Sequence, residues 1–190
     1  MNLQALFDGL LALTAFYLAW HARRDAPALR LACSLVGAAA TLGALRFSGV
    51  LPLPPLHQYA SLLGAGVGLP LLAIAITQRS SVVAVQRRFT WIFAVIAAVV
   101  CTLAVMVVQL KWWAPACAVL SALAIVIHGV RNRQVTMAAT GVLLLVTLVA
   151  FAARLQVGPL QPGDLLHIGM ALTLLALGRL RHNALRPIEQ

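Results

Sequence analysis

Arg87-Arg88-Phe89-Thr90-Trp91-Ile92-Phe93-Ala94-Val95-Ile96-Ala97-Ala98-Val99-Val100-Cys101-Thr102-Leu103-Ala104-Val105-Met106-Val107-Val108-Gln109-Leu110-Lys111 is a mostly apolar run with two arginines at one end, a single lysine at the other and no charge between them. A hydrocarbon core about 30 Å thick is crossed by roughly 20 residues of helix, which is the length of this run. The apolar residues are continuous and do not alternate at period two. Since only helices and closed barrels satisfy backbone polar groups in lipid, the run reads as a membrane-spanning helix.

Six similar stretches flank it, at about Leu3 to Trp20, Leu29 to Val50, Leu56 to Thr77, Trp112 to Val130, Val135 to Ala153 and Gly163 to Leu180. The expected fold is therefore all-α, a polytopic membrane protein with seven transmembrane helices and one domain over residues 1–190. Composition agrees. With 62% hydrophobic and 9% charged residues the chain has too little polar surface for a soluble globule of its length. A net charge of +10 would in a soluble domain suggest nucleic acid. Here the basic residues are short clusters at span ends, suited to anionic headgroups, so the lipid bilayer is the expected partner and nucleic acid is not.

The clusters also orient the chain. Arg23, Arg24 and Arg30 lie in the first gap, Arg79, Arg87 and Arg88 in the third, Arg131 and Arg133 in the fifth, and Arg179, Arg181 and Arg186 in the tail. The second, fourth and sixth gaps hold one basic residue each, Arg46, Lys111 and Arg154. The positive-inside rule then predicts an N-out/C-in, multi-pass protein of a bacterial-type inner (plasma) membrane. The first segment has its arginines after the apolar stretch and no A-x-A site, so it reads as a span and not as a removed signal peptide.

A repeat is visible at an offset of 107 residues. Leu13-Thr14-Ala15 through His21 and Arg24 aligns with Leu120-Ser121-Ala122 through His128 and Arg131, and Pro52-Leu53-Pro54-Pro55 aligns with Pro159-Leu160-Gln161-Pro162. Each proline loop follows a lone arginine, Arg46 or Arg154, and precedes a histidine, His57 or His167. The expected plan is 3+1+3: repeat 1 at about 3–77, a linker helix at about 89–110, and repeat 2 at about 112–180. Three helices plus a linker restore direction, so the repeats would be parallel, about an axis along the membrane normal. The plan is similar to that of the SWEET and PQ-loop transporters, although the Pro-Gln dipeptide of the latter is absent.

Ionisable groups within a membrane are costly and default to functional candidates. Asp8, Arg46, His57, Arg154, Asp164 and His167 form the candidate ligand-binding layer near the outer face, with Gln58, Gln109 and Gln156 close by. His21 and His128 lie near the inner face. His57, Asp164 and His167 are the candidate metal ligands, since imidazole and carboxylate suit zinc and an open position activates water. Such a site resembles the seven-helix membrane hydrolases of the alkaline ceramidase type, whose paired histidines on the last helix this chain lacks. Two histidine pairs, His57 with His167 and His21 with His128, are alternatively a set of axial ligands for haem in an electron wire. The plainer reading of Asp164 is a helix cap after Pro162-Gly163, and of His57 a headgroup-level residue.

Cys33, Cys101 and Cys117 are widely spaced and imply no disulfide framework. Gly64, Gly66 and Gly68 before Pro70 predict close helix packing and a kink in the third span. The favoured function is a ligand-binding or transport-type pocket for an unspecified small molecule near the periplasmic face. A metal-dependent hydrolase acting on lipid, a haem electron carrier and a subunit of a larger membrane complex or homo-oligomer are the alternatives.

Overall fold

The computed structural model describes residues 2–22, 26–51 and 53–183, with the side chains of 181–183 left aside. Arg23, Arg24, Pro52 and Arg186 lie outside the described residues. The first span is α1 (Leu3–His21) and the second α2 (Pro27–Phe47). The third is made of α3 (Pro54–Leu63), a π turn (Gly64–Gly68) and α4 (Leu69–Thr77). A short α5 (Val82–Val85) precedes α6 (Arg87–Thr102), which runs into a second π turn (Leu103–Val107) to complete the fourth span. The fifth to seventh spans are α7 (Trp113–Arg131), α8 (Val135–Ala152) and α9 (Pro162–Asn183). Among the described residues all seven are long and apolar enough to cross a membrane.

Local chemistry sets the ends. Asn2 caps α1 by accepting from the amide of Gln4 at 3.1 Å. Pro27 opens α2, Pro54 opens α3 and Pro162 opens α9, at positions where the missing amide costs nothing. Gly49, at φ 80°, turns the chain after α2, a left-handed conformation that glycine adopts without strain. The proline in the third span is absorbed by the π turn that ends two residues before it. There the amide of Leu69 reaches back to Gly64, and the wider turn eases the contact that the Pro70 ring would otherwise make. The expected irregularity is thus a π turn, and α5 is an addition within the third gap, capped by the Ser81 hydroxyl on the amide of Ala84.

Packing follows membrane rules. The interior is dominated by small residues such as Ala15, Ala28, Ala32, Ala118 and Ala122, while Leu13, Trp20, Leu120 and Val135 are exposed on the outside. Small residues let backbones approach, which replaces the hydrophobic drive that lipid does not supply. α7 and α8 approach closely, so that a Cβ on Gly141 would lie 2.8 Å from the backbone nitrogen of Val126.

The helices form a closed circuit. α1 packs on α2, α2 on the third span, the third span on α7, α7 on α8, α8 on α9, and α9 back on α1. The fourth span stands outside it, with α6 against α2, α3 and the first π turn. Gly66 leaves the space that Cys101 of α6 fills. Between α2, the third span and α6 lies an apolar crevice of about 150 Å³ lined by Leu31, Leu35, Leu63, Val67 and Trp91. Inside the circuit, Leu18, Leu72, Ile76, Leu174 and Leu177 leave a void of only about 10 Å³. That is scarcely room for one water.

Candidate functional site

One end of the bundle carries few basic residues, and there the start of α1, the end of α2 and the start of α9 are tied together. The Asn2 amide donates to the carbonyl of Phe47 at 3.1 Å, and the Gln4 amide donates to the Gln161 side-chain carbonyl at 2.7 Å. Beneath these ties lie Asp8, one turn further along α1 than Gln4, and His167, five residues into α9. At 1.5 Å per residue each is roughly 8 Å from the start of its helix.

Asp8 is wholly buried. Its carboxylate rests against Gly43 of α2, where a Cβ would lie 2.6 Å from Oδ2, so that only glycine leaves room for it. Oδ1 is 3.2 Å from Nδ1 of His167. The approach is at ion-pair distance but lacks hydrogen-bond alignment, and neither atom has another partner.

Asp164 sits one turn before His167 on the same face of α9. Its Oδ2 accepts from the amide of Gln161 at 2.8 Å, the reach-back of an N3 carboxylate to the N-cap amide. The capping reading of this residue therefore holds for one oxygen. The other, Oδ1, is buried and unpartnered. Four buried polar atoms, both oxygens of Asp8, Oδ1 of Asp164 and Nδ1 of His167, are thus without hydrogen bonds. Asp164 lies near enough to act electrostatically on both Asp8 and His167. The His167 side chain keeps 17% of its surface exposed, while that of Asp8 keeps none.

His57 stands beside this group, close enough to act electrostatically on His167, but its Nδ1 is engaged with the carbonyl of Ala39 at 3.3 Å. Its ring meets Phe47 edge-on at 5.8 Å, and the Arg46 guanidinium lies 5.1 Å from the centre of the same Phe47 ring. Arg46 therefore belongs to the rim, one aromatic ring away from His57. Arg154 lies on the surface in the turn after α8, with a left-handed backbone at φ 52°. Of the six residues expected from sequence, Asp8, Asp164 and His167 come together, His57 and Arg46 border them, and Arg154 stays at the surface.

Among the described residues no group of three or more His, Cys, Asp and Glu side chains is arranged to hold a metal ion, so His57, Asp164 and His167 form no such cage. At the opposite end, His21 is exposed, with Nδ1 on the carbonyl of Tyr17 at 2.8 Å and its ring 4.1 Å from that of Tyr17. Gly43, Gln4 and Gln161 escaped the sequence reading. Gln4 was the findable one, since it precedes Asp8 by one helical turn and so shares its face. No family model matches the chain, and no curated protein or solved structure matches it either.

Proposed function

We propose that the protein is a small-solute-binding carrier of the membrane, with its site at the arginine-poor end between the first and last spans. The observation that carries this reading is the convergence of four buried, unpartnered polar atoms from Asp8, Asp164 and His167. Each such group costs several kcal/mol in an apolar medium, and hydrophobic side chains would pack the same seam at no such penalty. Groups held at that cost inside a membrane point to a ligand or ion pathway. Three of the four atoms are carboxylate oxygens, so the site favours cationic or zwitterionic solutes.

The circuit of helices supports a 3+1+3 duplication. Exchanging the first, second and third spans with the fifth, sixth and seventh maps every contact of the circuit onto another and leaves the fourth span as the outside linker. The polar cluster then lies at one of the two seams between halves. At the other, the 107-residue offset puts Pro115 where Asp8 would be. By the arginine distribution the polar end faces the periplasm, and aliphatic side chains seal the circuit toward the cytoplasm.

The test is thermal stability of the full protein in nanodiscs against a panel of small amines, amino acids and carboxylates. A cationic or zwitterionic solute at a hundred times its Kd is expected to stabilise the wild type by about 2.7 kcal/mol. The Asp8→Asn protein is expected to lose that gain. A panel with no stabilising solute, or equal gains in the variant, would overturn the reading.

A further inference from the structure

We propose that Asp8, His167 and Asp164 form a proton-binding site, in which a proton is held between Asp8 Oδ1 and His167 Nδ1 and exchanged through the part-exposed imidazole. The proposal rests on the carrier reading of the same cluster and names the ion that the site takes. Asp8 Oδ1 and His167 Nδ1 stand 3.2 Å apart, both buried and neither hydrogen-bonded elsewhere. A carboxylate oxygen only accepts, and one imidazole nitrogen accepts or donates according to its proton, so the two facing atoms repel unless a proton lies on one of them.

Other occupants fit less well. A metal needs further ligands, and no group of three donor side chains is arranged for one among the described residues. At 3.2 Å nothing larger than a proton fits between Asp8 Oδ1 and His167 Nδ1, so a solute would bind beside the pair and not within it. Protonation needs no cavity. It also reduces the charge of two carboxylates that act on each other in a desolvated seam.

The surroundings leave the proton to this group. α1 is packed by α2 and α9. From α9 the facing titratable groups are Asp164 and His167 themselves. From α2 the nearest charged side chain is Arg46, which is directed at the Phe47 ring. α8, the other neighbour of α9, has no titratable side chain from Val135 to Ala152. On the third span His57 is bonded to Ala39. Of the three, His167 keeps 17% of its side chain exposed, while Asp8 and Asp164 are buried.

Infrared difference spectroscopy of the full protein in nanodiscs, titrated with pH in H2O and D2O without any solute, tests the site. The expected result is a protonated carboxyl C=O band that titrates, shifts in D2O and disappears in Asp8→Asn. His167→Gln is expected to move its midpoint by about tenfold or more in proton concentration, and Arg154→Gln to leave it unchanged. Should Asp8→Asn not fold, judged by circular dichroism, Asp8→Glu serves, with a displaced band as the supporting result. A spectrum with no titrating carboxyl band assigned to residue 8 by either variant overturns the proposal. So does a midpoint indifferent to His167→Gln. A band present while the solute panel fails leaves the proton site and removes the carrier; a stabilising solute without the band does the reverse.

Discussion

Gly43 decides whether Asp8 has a place. The carboxylate lies where a side chain on α2 would be, with its Cγ and both oxygens 2.6 to 2.7 Å from a Cβ at position 43. Gly43→Ala is therefore expected to push Asp8 out of the seam and separate it from His167. A loss of about 1 to 3 kcal/mol, the usual scale of overpacking, should appear as a lower thermal midpoint in nanodiscs. An unchanged midpoint would mean that α1 and α2 yield more easily than their packing implies. Asp8 and His167 were legible as candidates because ionisable residues stand out in apolar runs. Gly43 was not, since a glycine carries no chemical mark and its role exists only once α1 and α2 are docked. Arg154 shows the converse. Its position by a proline loop matched that of Arg46, but a left-handed turn leaves it on the surface.

The spans were legible almost to their ends, because a continuous apolar run of bilayer length has few other solutions. What escaped was the form of helix within them. The π turn at Gly64–Gly68 and the second at Leu103–Val107 depend on the hydrogen bond each amide chooses, and hydropathy is blind to that choice. Pro70 and the glycines before it predicted a break without saying which kind. The join between α7 and α8 is similar. Gly129 and Gly141 each abut backbone of the facing helix, Ala138 and Val126 respectively. Gly141→Ala is expected to separate the pair and cost about 1 to 3 kcal/mol, read from denaturation in mixed micelles. The same change at Gly163, which has open space where a Cβ would go, should cost much less. Equal losses at the two sites would contradict the close packing.

At the scale of the molecule, the charge pattern bears on how the protein sits. Arg30, Arg79, Arg87, Arg88, Arg131 and Arg133 lie at the end of the bundle opposite the polar cluster, so orientation fixes which side of the membrane the cluster faces. Single cysteines placed at Gln156 and at Arg133, both exposed, should differ in intact cells. A membrane-impermeant maleimide is expected to label position 156 from the periplasm, and position 133 only after the membrane is opened. The reverse pattern would turn the cluster toward the cytoplasm.

The bond between Gln4 and Gln161 closes the circuit of helices by joining its first span to its last. During synthesis Asp8 enters the bilayer long before Asp164 and His167 leave the ribosome. The carboxyl must wait until α9 arrives, and five further spans must be laid down in the interval. The Asp8 carboxyl thus gains the groups it faces only when α9 docks, and a chain interrupted before Pro162 is expected to leave it without His167 and Asp164 beside it.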